Sequence, residues 1–120
     1  MENGGNKFDD GKLRYDLIPV FPLRELARVY TIGAKKYADR NWELGLKYSR
    51  ILGALMRHLE AYRGGEDIDP EGGQHHLSSV AWCAFALIEY GQTHPELDDR
   101  VGPKIEKSDG QEYVWRRFPT

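Results

Sequence analysis

The chain has 120 residues, with 17 Lys and Arg against 19 Asp and Glu. This length fits one modest domain, and a net charge of −2 argues against a broad nucleic-acid surface while leaving room for a local basic cluster. The single cysteine, Cys83, excludes an internal disulfide framework and a cysteine-based zinc finger. No apolar run approaches the roughly 20 residues of a membrane span. Residues 1–10 lack an apolar signal core, so we expect a cytoplasmic protein without membrane or nucleic-acid partners.

Residues 1–21 are predicted to form an N-terminal arm. Glycines and charged side chains fill its first half, and Pro19 interrupts regular structure near its apolar end. A first helix then begins at Pro22, because a proline at the first helical position sacrifices no hydrogen bond. Its apolar stripe follows helical spacing over about four turns. The stripe consists of Leu23, Leu26, Ala27, Tyr30, Ala34 and Tyr37.

After a connector over residues 38–47, a second helix is predicted from Tyr48 to Arg63. Arg63 lies in its last turn and Gly64 and Gly65 end it, as basic residues and glycines do at helix C-termini. Its apolar stripe has the same helical period. The stripe consists of Tyr48, Ile51, Leu52, Leu55, Leu59 and Tyr62.

A third helix is predicted from Gln74 to Tyr90, ended by Gly91 and Pro95. Cys83 lies in its apolar run and is assigned to the core. No alternating strand pattern is present, so the fold class is all-α, with an arm (1–21), a helical domain (22–91) and a tail (92–120). Three such helices form a small core, which we expect a second subunit to complete. The predicted apolar face of the third helix consists of Leu77, Val80, Ala81, Ala84, Leu87 and Ile88.

Carboxylates and imidazoles concentrate at the junction of the second and third helices. An antiparallel hairpin would bring them to one end of the molecule, where carboxylates suit Mg²⁺ or Mn²⁺ and added imidazoles favour Mn²⁺, Fe²⁺ or Zn²⁺. The alternative is a solvated acidic loop with surface histidines, in which Glu60 only forms helical ion pairs. The candidate metal ligands are Glu66, Asp69, Glu71, His76, His58 and Glu60.

A second group of residues is basic and aromatic. Cations bind phosphates, Trp42 or Tyr37 can stack on a base, and Asn41 can read a base edge. The alternative is that Trp42 caps the core and the lysines are solvated. The chain has no phosphate-binding P-loop motif and no Gly-x-Ser-x-Gly motif. The candidate substrate-binding residues are Lys12, Arg14, Lys35, Lys36, Tyr37, Asn41, Trp42 and Arg57.

Several motifs, in order, resemble the phage dATP/dGTP diphosphohydrolase N-terminal family. The resemblance covers about residues 7 to 90. It rests on residues 7–14 (KFDDGKLR), 33–37 (GAKKY), Asn41-Trp42, Arg57-His58-Leu59, 64–73 (GGEDIDPEGG) and His76-Leu77.

The resemblance implies a MazG-like all-α pyrophosphohydrolase that forms dimers or dimer-of-dimers tetramers. It implies metal-dependent cleavage of a nucleoside triphosphate between its α and β phosphates, with dGTP or GTP as the expected substrate and Mg²⁺ or Mn²⁺ as cofactor. Relatives of the MazZ type belong to phages that replace adenine by 2-aminoadenine, and there the released dGMP feeds synthesis of the modified nucleotide.

Two departures from the family pattern concern the metal ligands. MazG relatives carry Glu-x-x-Glu followed by Glu-x-x-Asp, whereas this chain has Arg57-x-x-Glu60 and places Glu66-x-x-Asp69 in the loop. Many nearer relatives also have a second histidine where this chain has Ser79. We therefore expect a different metal shell that uses His58 or His76, with Glu66 or Glu71 as the general base.

Two hypotheses without catalysis stay open at this point. The incomplete MazG motif would suit a nucleotide sensor that binds without turnover. The tail around Trp115 and Phe118 would suit a helical interaction module.

Overall fold

The structure, a computed structural model, describes residues 4–8 and 10–102. Over these residues it has three α-helices and no β-strand, which confirms the all-α class for this part of the chain. Asp9 and the tail residues Trp115 and Phe118 lie outside the described residues. The helices are α1 (Val20–Lys36), α2 (Tyr48–Arg63) and α3 (His76–Thr93), with short 3-10 helices at Tyr15–Leu17, Asn41–Leu44 and Pro95–Leu97.

Helix α2 has the predicted bounds and α3 packs against both α1 and α2. The first turn of α2 is stabilised from a distant part of the chain. The backbone N–H of Ser49 donates to Asp99 Oδ1 at 2.8 Å, and the Ser49 hydroxyl donates to Oδ2 of the same carboxylate at 2.5 Å. Asp99 therefore satisfies a helix N–H that has no partner within the helix.

Helix α1 begins at Val20, two residues before the predicted start. Pro19 takes the extended N-cap position, and Pro22 falls in the first turn instead of opening the helix. Both prolines are tolerated because N–H groups in the first turn have no intrahelical acceptor. The arm that precedes α1 is exposed along its described residues.

Helix α3 differs from the prediction in its bounds and in its buried face. It begins at His76, two residues after the predicted start, and continues through a buried Gly91 to Thr93. Leu77 and Ile88, which we predicted to be buried, are exposed, whereas Cys83 is buried as expected. The helix is apolar on most sides, so its period did not select one face.

The core is small, as the length of the helices predicted. Tyr48, Ile51, Cys83 and Tyr90 form its buried centre. Trp42 covers them, and its carbonyl accepts a 2.5 Å hydrogen bond from the Tyr90 hydroxyl. Within the described residues, no helix has the combination of length and apolarity needed to cross a bilayer.

Candidate metal and nucleotide site

The loop between α2 and α3 folds back on itself and fixes the candidate ligands. The Asp69 N–H donates to the Gln74 carbonyl at 2.8 Å, and the His76 N–H donates to the Asp67 carbonyl at 2.8 Å. His75 caps α3, accepting from the Leu77 N–H at 3.0 Å through its ring nitrogen. These bonds hold the acidic loop beside the first turn of α3.

Three side chains from α2, the loop and α3 converge at this end of the hairpin. The Nδ1 atoms of His58 and His76 lie 2.9 Å apart, and His58 Nδ1 lies 4.0 Å from Asp69 Oδ2. One ligand atom from each of the three residues falls within 4.8 Å of the others. We call His58, Asp69 and His76 the histidine–aspartate cluster.

Glu66 extends this cluster through His76. Its Oε1 lies 2.6 Å from His76 Nε2. His76 itself is buried, with 5% of its surface exposed. Because an ionised carboxylate only accepts, Nε2 of His76 carries the hydrogen, and Nδ1 of a neutral His76 then accepts from His58 Nδ1–H. Burial is the main cause that lowers the pKa of His58, with further lowering by His76 and Arg57 and opposition from Asp69. His58 is thus favoured as a neutral imidazole, the form that binds metals.

The donor atoms of the cluster fit a divalent ion. Two nitrogens bound to one ion at about 2.1 Å and at right angles lie about 3 Å apart. The 2.9 Å separation of the two Nδ1 atoms has this value, and Asp69 supplies an oxygen on the same side. An ion at this position would replace the proton that the two imidazoles share. Mixed nitrogen and oxygen donors favour Mn²⁺ over Mg²⁺.

A buried amide and two glycines support Asp69 from behind. Gln74 Nε2 donates to Ser79 Oγ at 3.1 Å and lies 3.5 Å from Asp69 Oδ2, while its Oε1 is buried without a partner. A Cβ atom at Gly72 would collide with that Gln74 oxygen, and Gly73 has a positive φ of 82°. The positive φ favours glycine at position 73, whereas a side chain at position 72 would require the Gln74 amide to move. Ser79 belongs to this support and not to the cluster.

Three predicted residues have side chains outside the cluster. Glu71 contributes its backbone N–H, which donates to Asp69 Oδ1 at 2.9 Å. Glu60 is exposed, and its Oε2 lies 3.9 Å from Arg63 Nη1. This contact is the helical ion pair that we considered as the alternative to metal binding. The Arg57 guanidinium folds back over Gly53, where an added Cβ would lie 3.2 Å from Nη1.

A basic groove lies between α1 and the glycine turn of the loop. Arg24, Arg28 and Lys35 line one wall and Gly72 and Gly73 the other, around a volume of about 510 Å³. Sequence reasoning selected Lys35 and missed the two arginines. The sequence feature that could have identified the arginines is the spacing of the three cations, by four and then seven residues, which places them on one face of the helix.

A mainly apolar cleft of about 510 Å³, whose lining also includes Arg40 and Glu43, lies beside a neighbouring face of α1. Leu23, Tyr30, Trp42 and Phe85 line it, and Ala27 borders both this cleft and the basic groove. Trp42 also packs against Tyr30 and Trp82 at ring-centroid distances of 6.2 and 6.5 Å. Trp42 therefore packs on the core, as one of our two hypotheses predicted, and also lines the cleft.

The other predicted substrate-binding residues are exposed and lie apart from the cluster contacts described above. Lys36 Nζ lies over the Tyr37 ring, 5.3 Å from the ring centroid. Asn41 is the first residue of a 3-10 helix. In the arm, Arg14 pairs with Asp16 at 2.7 Å, and Lys12 is exposed. The structure therefore brings neither arm cation into contact with the cluster.

Comparisons with known proteins match this same region. The model of a family described as dATP/dGTP diphosphohydrolase, N-terminal, matches residues 2–100. A curated protein of Salmonella phage PMBT28, named dATP/dGTP diphosphohydrolase, is 38% identical over 96 residues. The alignment covers 80% of this chain and 33% of that protein, so the chain spans about a third of its relative's length. No solved structure matches the chain.

Proposed function

This chain belongs to the dATP/dGTP diphosphohydrolase N-terminal family, and we propose that it is a metal-dependent pyrophosphohydrolase of purine deoxynucleoside triphosphates. The substrate class follows the name of the phage relative. The reaction adds water across the bond between the α and β phosphates and yields a nucleoside monophosphate and pyrophosphate. We propose dGTP as the preferred substrate, with GTP as a related one.

The observation that carries this proposal is the histidine–aspartate cluster with Glu66 attached to it. His58, Asp69 and His76 would hold Mg²⁺ or Mn²⁺, and the two imidazoles favour Mn²⁺. A divalent ion at such a site lowers the pKa of bound water and neutralises charge on phosphate oxygens. These proposed ligands agree with the expectation, drawn from the departures from the MazG motif, that the metal shell uses His58 or His76.

Glu66 is our choice for the general base. Its carboxylate is half-exposed on the solvent side of His76, so its second oxygen can accept a proton from an attacking water. The hydrogen bond from His76 Nε2 fixes the position of the first oxygen at 2.6 Å. Within the described part of the chain, Glu71 has no comparable side-chain contact, and its backbone N–H donates to Asp69.

The nucleotide would lie across α1. The apolar cleft offers Trp42 and Phe85 to a purine, and the basic groove offers Lys35 to the phosphates. Ala27, a small residue, borders both of them. Cations of the arm, Lys12 and Arg14, would act at the site of a neighbouring subunit.

We propose that the protein is a dimer or a dimer-of-dimers tetramer. Large apolar side chains are exposed on each helix, among them Phe21 on α1, Met56 on α2 and Ile88 on α3. Burial of such side chains between subunits would be favourable. In a phage that uses 2-aminoadenine, the product dGMP would supply synthesis of that nucleotide in the host cytoplasm.

Product analysis tests the proposed reaction. The protein is incubated with each deoxynucleoside triphosphate and Mn²⁺, and the products are separated by anion exchange. We expect monophosphate and pyrophosphate, fastest from a purine substrate. Diphosphate with inorganic phosphate would contradict α–β cleavage, and binding without turnover would favour the nucleotide-sensor hypothesis.

A further inference from the structure

Three cations of α1 form a row along the basic groove, with Thr31 between Arg28 and Lys35. Arg24, Arg28 and Lys35 are spaced by four and seven residues, so their side chains share a face of the helix. All three are exposed. Like charges four residues apart, as Arg24 and Arg28 are, repel each other by a few tenths of a kcal/mol. The row therefore gains stability when an anion enters the groove.

Little negative charge from the protein offsets this row. Arg28 contacts Glu25 at 3.2 Å, while Arg24 and Lys35 have no ion-pair partner among the described residues. Thr31, between them, already donates its hydroxyl to the Ala27 carbonyl at 2.9 Å. The groove thus offers two uncompensated cations and the guanidinium of Arg28.

The opposite wall of the groove belongs to the same loop as the histidine–aspartate cluster. The Gly73 N–H donates to the Asp69 carbonyl at 2.7 Å, and the Asp69 carboxylate faces His58. Gly72 and Gly73 carry no side chain that would fill the space in front of Arg24 and Lys35. One loop therefore presents an anion-accepting groove on one side and the metal donors on the other.

We propose that this groove binds the β and γ phosphates of the substrate, the part that leaves as pyrophosphate, with Arg24 and Arg28 as binding residues beside Lys35. The inference rests on the proposed function, which requires a polyphosphate next to the metal. Guanidinium groups bind two phosphate oxygens at once, and a pyrophosphate offers such oxygens on both of its phosphorus atoms. Nucleoside monophosphate, which lacks these groups, would make no contact there.

The test compares Arg24→Ala with Arg50→Ala, an exposed arginine of α2 outside the groove. Binding of inorganic pyrophosphate and of dGMP to the Mg²⁺-loaded protein is measured by calorimetry. We expect Arg24→Ala to weaken pyrophosphate binding about tenfold, the usual effect of one charge-assisted contact, and to leave dGMP binding unchanged. Arg28→Ala should act in the same direction, and circular dichroism checks that the variants fold.

Two results would overturn the inference: pyrophosphate affinity of Arg24→Ala equal to that of Arg50→Ala, or an equal loss of dGMP affinity. Neither depends on turnover, so the groove can be tested even if the wild-type protein hydrolyses no nucleotide. Absence of turnover with an intact effect on pyrophosphate would contradict the proposed function alone. Normal turnover without that effect would contradict the groove alone.

Discussion

The Nδ1 atoms of His58 and His76 face each other at 2.9 Å, although 18 residues separate the two histidines. His58 lies near the end of α2 and His76 begins α3, so the antiparallel packing of the two helices brings the rings together. Two neutral imidazoles at this distance share one hydrogen, whereas a divalent ion would use both lone pairs. The pair is therefore the centre of the proposed metal site.

Glu66→Gln should abolish most of the activity without unfolding the protein. The glutamine oxygen can still accept from His76, but an amide does not take up a proton at neutral pH. We expect kcat to fall by about a hundredfold or more, the usual contribution of a general base, with little change in KM. Glu71→Gln is the matched control and should retain activity. Equal effects of the two substitutions would remove Glu66 from the base role.

Asp99→Asn should lower the melting temperature near neutral pH. Hydrogen bonds from Ser49 are the main cause that lowers the pKa of Asp99 in the folded protein. A lowered pKa stabilises the fold above the ordinary carboxyl pKa of about 4, and this contribution disappears as the pH falls through the folded value. The difference in melting temperature between wild type and Asp99→Asn should thus be largest near pH 6 and should decrease as the pH falls below about 4. A difference independent of pH would contradict this role.

Cys83 should react slowly with thiol reagents in the folded protein. It is 2% exposed, and burial raises its pKa to about 11, so little thiolate exists at pH 8. Relative to an ordinary cysteine of pKa about 8.5, we expect alkylation to be at least about a hundredfold slower. Complete and fast reaction under native conditions would show that α3 is not packed as described.

Ile88→Glu should shift the oligomer toward smaller species. Ile88 is 57% exposed on α3 and lies outside the apolar cleft, so the substitution changes surface chemistry without removing a wall of that cleft. Burying a glutamate in a subunit interface is unfavourable. Gln92→Glu, an exposed position on the same helix, is the control. Sedimentation of the wild-type protein as a monomer would contradict the oligomer proposal directly.

The sequence predicted the helices because their apolar periods and glycine ends are local signals. Helix α2 has the expected bounds, from Tyr48 to Arg63. The prediction of the buried face of α3 was wrong because an almost uniformly apolar helix has no preferred face. Its packing against α1 and α2 determines which side is buried, and that packing leaves Leu77 and Ile88 exposed.

The candidate site was predicted in outline only. The sequence grouped six candidate ligands at the junction of the two helices, and the structure brings His58, Asp69 and His76 together, with Glu66 in contact with His76. Spacing did not distinguish the side chain of Glu71 from that of Glu66, because the direction of each depends on hydrogen bonds within the loop. The arginines of the basic groove were missed because their partner surface, the glycine turn, carries no side chains that signal a site.

Binding of Mn²⁺ tests the central claim most directly. Wild-type protein, His58→Ala and the control His75→Asn, in which asparagine can keep the cap of α3, are titrated with Mn²⁺ and followed by electron paramagnetic resonance. We expect wild type and His75→Asn to bind with similar affinity and His58→Ala to lose at least about tenfold, as removal of one ligand would. Equal Mn²⁺ affinity of His58→Ala and wild type would contradict the proposal that this cluster holds the metal.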